Sequence, residues 1–281
     1  MSPSLDALTS PLPAWSVKNL RFAAARALLG SVGRLSEGIS IGHRHGFDSG
    51  VMLDHVYENR ARGRTPLGRL IDRVYLDAPG WVGIRNRGAL LERVIAAEVR
   101  RIATDRGEAA VADLACGGGR YILSALADAG RHATVRATLR DYEAANVEKA
   151  AANARRLGLA VTVERGDAFS DTDLSALPRP DLVVVSGLHE IVADDETVRG
   201  HFGQIARILA PGGRLALTVQ PDHPQVEFIA RVLTSHTGRP WAMRLRSVDL
   251  TRAWAEAAGF VVESVEMEAQ GIFGVLLARK A

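Results

Sequence analysis

From Val111 to Tyr121 the chain reads Val-Ala-Asp-Leu-Ala-Cys-Gly-Gly-Gly-Arg-Tyr, an apolar run that closes on an acidic residue and opens into three glycines. Glycine lacks a Cβ, so such a segment takes the left-handed dihedrals of a tight turn and lets a ligand lie directly on the backbone. An acidic residue there, where a buried strand turns into a helix, suits a nucleoside-bearing cofactor. A dinucleotide fingerprint would need glycines at the first, third and sixth positions of the turn. Gly117 and Gly119 meet the first two, and Ile122 occupies the sixth, so that fingerprint fails.

Elements able to hold the loop follow at regular intervals. Ala133 to Arg140 is rich in β-formers and ends on Asp141, 22 residues past Gly119. A strand-end carboxylate at that distance can accept two hydrogen bonds from a ribose diol. Val161 to Arg165 reads as a third short strand. Pro180 to Ser186 is a nearly continuous apolar run, as expected of a parallel strand buried on both faces. Arg214 to Gln220 reads as a fifth strand, and Thr251 to Gly259 as a helix ended by glycine. Phe260 to Met267 and Ile272 to Arg279 are strands joined by too few residues for a parallel crossover, so they must be antiparallel neighbours.

Asp113, Ala115, Gly117 and Gly119 stand where class I S-adenosylmethionine-dependent methyltransferases carry an acidic-x-Gly-x-Gly-x-Gly loop, and the segment resembles that loop with Ala115 for its first glycine. The terminal hairpin resembles the same fold. The resemblance implies an α/β architecture: a Rossmann-like seven-stranded methyltransferase sheet with a C-terminal antiparallel hairpin, plus an N-terminal helical lobe. It implies S-adenosyl-L-methionine as donor, S-adenosyl-L-homocysteine as product, and no metal. Asp141 would hold the ribose and Tyr142 would pack on the adenine. Asp167-Ala168-Phe169 resembles the family's adenine contact, and Ser186 to Glu190 would border the transferred methyl group. By the same analogy Arg85 would touch the donor's carboxylate. Blocks such as Gly46-Phe47-Asp48-Ser49-Gly50 and Asp54-His55-Val56-Tyr57-Glu58-Asn59 resemble a bacterial methyltransferase family found free-standing or fused to α/β-hydrolases.

Transfer to a hydroxyl calls for a base within hydrogen-bond reach, whereas an amine needs only to arrive neutral. His189, just past the fourth strand, is the first candidate base, and His223, in the loop after the fifth, is the second. Glu190 is a lesser candidate base, or a cap for the next helix. Tyr57, Tyr75, Trp81 and Trp241 could line the acceptor or face the sulfonium, since an aromatic face attracts a cation. His43, His45 and His55 read as structural, and Cys116 as a small packing residue. Neither His43-x-His45 nor Asp194-Asp195-Glu196 has metal-ligand spacing.

The chain has 281 residues, 47% of them hydrophobic and 24% charged, with a net charge of +3 and one cysteine. This is the composition of an ordinary globular protein without an intrachain disulfide, and it suits the cytoplasm. No apolar run reaches the ~20 residues of a membrane-spanning helix. Residues 1–105 carry 15 Lys/Arg against 10 Asp/Glu. A nucleic-acid face would join a broader basic stripe to exposed aromatics, and aromatics make up only 5%. The organisation expected is a loose leader over 1–13, a helical cap or substrate lobe over 14–105, and a donor-binding domain over 106–281 with an insertion at 221–246. Within the lobe, helices are expected at 50–60, 66–76 and 87–104, with a glycine-rich loop over 38–50. The reading is a methyltransferase acting on oxygen or nitrogen of a small molecule, with a homodimer compatible. Its rivals are an RNA or protein methyltransferase and a catalytically inactive cofactor-binding protein. Ser186-Gly187-Leu188-His189 lacks the Asn/Asp-Pro-Pro-aromatic motif of base-amine methylation.

Overall fold

A computed structural model describes residues 5–281. The chain divides into two compact units, the residues up to Arg85 with Asp222–Leu245, and Asn86–Pro221 with Arg246–Ala281.

The first unit is helical. It holds α1 (Leu5–Thr9), α2 (Val17–Gly30), α3 (Glu37–His45), α4 (Gly50–Glu58), α5 (Pro66–Leu76) and, numbering along the whole chain, α12 (Val226–Val232). Ser16, Ser36, Ser49 and Thr65 start α2 to α5, each side chain accepting from the amide three residues on. Each cap satisfies an amide that the first helical turn leaves free. The loop expected over 38–50 is instead the helix α3 as far as His45. Its glycines serve close packing: a Cβ at Gly42 would stand 2.3 Å from the Phe47 ring, and one at Gly38 would stand 2.9 Å from Asp72 Oδ1. The leader expected over 1–13 also carries structure, because α1 buries Leu8 against Val226 and Ala230 of α12. Residues 1–4 lie outside the described ones.

Asp72 ties this unit together. It accepts from Ser36 Oγ at 2.6 Å, Gly38 N at 2.7 Å, Arg62 N at 2.8 Å and His55 Nε2 at 3.0 Å, and it is fully buried. Burial raises its carboxyl, but the hydrogen bonds outweigh that and hold it below the usual carboxylate range.

Helix α6 (Pro79–Arg106) begins eight residues before the helix expected at Arg87 and carries the chain into the second unit. There β1 (Ala109–Asp113), β2 (Val135–Asp141), β3 (Thr162–Arg165), β4 (Leu182–Val185), β5 (Arg214–Val219), β6 (Phe260–Met267) and β7 (Gly274–Lys280) make one sheet. Its order is β3-β2-β1-β4-β5-β7-β6, parallel from β3 to β5, with β7 antiparallel to both β5 and β6. This is the expected mixed sheet with its terminal hairpin. Helices α6, α7 (Arg120–Ala129) and α8 (Ala144–Arg156) bring Ile95, Val99, Ile122 and Ala150 against one face. Helices α9 (Asp171–Ser175), α11 (Asp195–Ile208) and α13 (Val248–Ala257) bring Leu174, Phe202, Ile205 and Ala255 against the other. Both faces are therefore dry, which is why β4 and β5 are buried at every residue. Among the described residues no helix is long and apolar enough to cross a membrane.

Candidate active site

Strand β1 lies between β2 and β4, so the chain leaves it in opposite directions on its two sides. In open α/β sheets that switch point, at the carboxyl ends of the strands, is where a crevice forms. Asp113 ends β1 there, fully buried. Its Oδ1 accepts from Ala115 N at 3.3 Å, while Oδ2 has no partner among the described residues. The Tyr121 hydroxyl lies buried beside this carboxyl. Burial pushes the Asp113 carboxyl up to about 7, against the pull of the nearby Tyr121 hydroxyl and the Ala115 amide.

The glycines divide the work of the turn. Gly117 has φ +55°, and nothing stands within 4 Å of where its Cβ would be, so its backbone faces open space. Gly119 has φ +73°, and a Cβ there would stand 3.0 Å from Leu123 and 3.3 Å from Ala150, so this glycine lets α7 pack against α8.

Asp141 ends β2 and is also buried. Its Oδ2 accepts from Gly117 N at 2.8 Å, and its Oδ1 from Glu143 N and Asn146 Nδ2, both at 3.0 Å. The structure thus ties it directly to the glycine loop, with part of its roughly four lone-pair sites used. Tyr142, next in sequence, is exposed, with the Arg165 guanidinium 5.3 Å from its ring centroid. After β3, Asp167 Oδ1 accepts from Phe169 N at 2.9 Å. Ala168 is buried, and the Phe169 ring lies 4.6 Å from that of His201. Asp113, Ala115, Gly117, Gly119, Asp141 and the Asp167 turn therefore all sit at the carboxyl ends of β1, β2 and β3.

Beyond β4, Ser186 and Gly187 lead into the single turn α10 (Leu188–Ile191). His189 is buried and its Nε2 lies 2.9 Å from Nδ1 of His201, a residue the sequence reading did not single out. Burial, then the neighbouring His201 and Arg246, hold His189 well below the ordinary histidine range; burial likewise brings His201 down to about 4. Glu190 does not cap α11, which Asp194 caps instead. Its Oε1 accepts from the Thr218 hydroxyl of β5 at 2.7 Å, and that hydroxyl accepts from Gly187 N at 2.8 Å. Glu190 Oε2 is buried without a partner.

Arg85, Tyr57, Tyr75, His223 and Trp241 belong to the first unit. Arg85 donates to Leu76 O at 2.9 Å. Tyr75 meets Trp81 edge-on at 5.7 Å, and Trp81 stacks on Trp241 at 6.0 Å. Tyr57 is half-buried on α4. His223 is buried, its Nδ1 accepts from Gln225 N at 3.0 Å, and burial lowers it to about 4. A Cβ at Gly80 would stand 2.6 Å from its Nε2.

Residues 2–280 match the family described as "Putative methyltransferase". The protein YnbC of Escherichia coli (strain K12), described as uncharacterized, is 40% identical over 272 residues, which are 95% of this chain and 46% of that protein. The chain therefore spans about half the length of that curated relative. Among solved structures, a possible exported protein from Bordetella parapertussis superposes with a TM-score of 0.66 at 22% identity, over 99% of this chain and 97% of that one. Magnesium protoporphyrin IX methyltransferase from Synechocystis PCC 6803, solved with bound SAH, gives 0.54 at 14% identity, over 85% and 99%. At these identities the two structures speak for the fold.

Proposed function

The chain belongs to the methyltransferase family that residues 2–280 match, and from that premise we propose that it transfers the methyl group of S-adenosylmethionine to an oxygen or nitrogen of a small molecule. The observation that carries the reading is the ring of strand-end groups around the open backbone of Gly117: Asp113 with a free buried oxygen, Asp141 bonded to the Gly117 amide, and the Asp167 turn. These residues fit the donor. Open space over Gly117 is what a ligand lying on the loop requires, and a buried acceptor without a donor at Asp113 is what a bound molecule would satisfy.

When bound, the donor supplies a methyl group activated by sulfonium charge. Asp141 would accept from the ribose through the one lone-pair site that its three hydrogen bonds leave. Asp167 would accept from the exocyclic amine, Ala168 and Phe169 would cover the ring, and Tyr142 at its rim and Ser186 beside the methyl group would complete the site. Arg85 is assigned to the donor's carboxylate by analogy alone. His189 and His223 are the histidines proposed as bases; burial keeps both neutral at pH 7, so each would have to accept a proton from its lowered position. Tyr57, Tyr75 and Trp241 are assigned to the acceptor, as is the lobe that bears them. Catalysis by this set is mainly alignment and exclusion of water.

Titration calorimetry of the full chain with S-adenosylmethionine and S-adenosylhomocysteine tests the reading. Saturable binding of both supports it; binding of neither removes it.

A further inference from the structure

One carboxylate beyond the carboxyl end of β4 is left unused by the donor-site reading. Glu190 hangs from α10, immediately past the carboxyl end of β4, on the side of the switch point opposite the glycine loop of β1. Its Oε1 is fixed through a short chain, Gly187 N–H to Thr218 Oγ1 to Glu190 Oε1, at 2.8 and 2.7 Å. Thr218 is itself buried in β5. The hydroxyl's lone pair is taken by the amide and its proton by Glu190, so Oε1 cannot swing away without stranding the buried hydroxyl. Oε2, by contrast, is buried without a hydrogen-bond partner from another side chain among the described residues.

A buried acceptor left empty costs free energy, and a native site keeps one where a ligand's donor completes it. The surroundings also keep the carboxylate usable as a base. Burial holds its pKa above the ordinary carboxylate value, against the pull of the Arg87 guanidinium, the Thr218 bond, its own backbone amide and, more weakly, Arg246. Arg87 is itself held in place, stacked 4.8 Å over the Phe273 ring and lying alongside Gly187. The neighbouring Asn86 is anchored to Glu268 at 3.1 Å.

We propose that Glu190 Oε2 accepts the O–H or N–H of the methyl acceptor and takes its proton, with Thr218 as the residue that positions it. The step rests on the donor reading above. The acceptor's lone pair forms the new bond to the methyl carbon, the electrons of the broken S–C bond stay on sulfur, and the proton passes to the carboxylate, which leaves the step as a neutral acid.

The test needs no knowledge of the acceptor. Sinefungin is a donor analogue in which a carbon bearing an amine replaces the sulfonium, so that the amine stands where the transferred methyl group would be and presents N–H donors toward the acceptor side; S-adenosylhomocysteine presents none. Calorimetry on the full chain should show sinefungin preferred by about tenfold or more, the effect of one charge-assisted hydrogen bond. Glu190→Gln should keep its S-adenosylhomocysteine affinity within about twofold and lose the preference, with Glu190→Asp keeping part of it. A Gln variant that retains the full preference overturns the assignment. Should the Gln variant fail to fold, the wild-type preference decides: it must fall as pH is lowered and Glu190 protonates, while the arginines keep their charge, His201 stays neutral down to about 4 and His189 is held well below the ordinary histidine range. A preference that stays flat with pH overturns it equally. Wild-type protein that binds S-adenosylhomocysteine without preferring sinefungin refutes Glu190 alone, and protein that binds neither refutes the donor reading with it.

Discussion

Nε2 of His189 and Nδ1 of His201 share a single hydrogen bond of 2.9 Å, and the other nitrogen of each ring is buried without a partner. Two neutral imidazoles fit this arrangement and two charged ones do not. The folded values lie below the ordinary ~6.5 of an unfolded histidine, so the unfolded chain binds more protons as pH falls. Stability is thus fully present above about 6.5 and is lost toward 4. His201 alone should cost about 2 kcal/mol between about pH 7.5 and pH 5, with His223 adding to the loss in the first unit. Urea unfolding across that range measures it, and His201→Phe should make the acid limb shallower. An equally steep limb in that variant would assign the proton uptake to other groups.

Removing the Asp141 carboxylate should weaken donor binding by about 1.5–3 kcal/mol, the worth of hydrogen bonds to a charged group. The bond to Gly117 N is lost in the same variant, so the fold must be checked alongside. Calorimetry on Asp141→Ala with S-adenosylhomocysteine gives the number. An unchanged affinity in a folded variant would refute the ribose assignment.

Two glycines of the first unit should respond oppositely to alanine. At Gly42 the new Cβ would overlap the buried Phe47 ring, and the repacking should cost about 1–3 kcal/mol. Gly50, the first residue of α4, has nothing within 4 Å of a Cβ, and Gly50→Ala should stabilise by about 0.4–1 kcal/mol through the unfolded chain. Thermal melts of the two variants give the comparison; equal shifts would mean that Phe47 yields without cost.

Asp72→Asn replaces one acceptor oxygen by a donor facing donors, and should destabilise by about 1–3 kcal/mol. Because its folded value is depressed, the contribution of Asp72 is present above the ordinary carboxylate range near 4 and is lost as pH falls through the lower folded value. Denaturant midpoints of wild type and variant should therefore converge in acid. A gap that stays constant down to about pH 3 would show that neutral contacts carry the effect.

The sheet was legible because its determinants are local. The runs at 161–165, 180–186 and 260–267 have strand composition, and the short link before β7 leaves only one pairing direction. The glycine loop and Asp141 could be read because strand ends and turn residues fix their places. Helix α3 was hidden by its own glycines, which a pattern of propensities counts as loop, although here they admit Phe47 and Asp72. The partners of Glu190 and Asp72 escaped for another reason. Each of these two acids is a single polar residue whose partners lie elsewhere in the chain, Thr218 being 28 residues from Glu190, and Ser36 and His55 being 36 and 17 residues from Asp72. No local spacing announces such pairs.

The one sulfhydryl of the chain sits inside the glycine loop, with only 3% of its surface exposed, and burial together with the Asp113 and Asp141 charges pushes its ionisation far up. Alkylating reagents attack the thiolate, so Cys116 should be silent toward them in the native state. New cysteines can therefore be introduced on the surface and labelled with dyes or spin probes without first removing the native one. Any slow labelling of Cys116 itself then times the opening of the loop, and a ligand resting on Gly117 would lengthen that time.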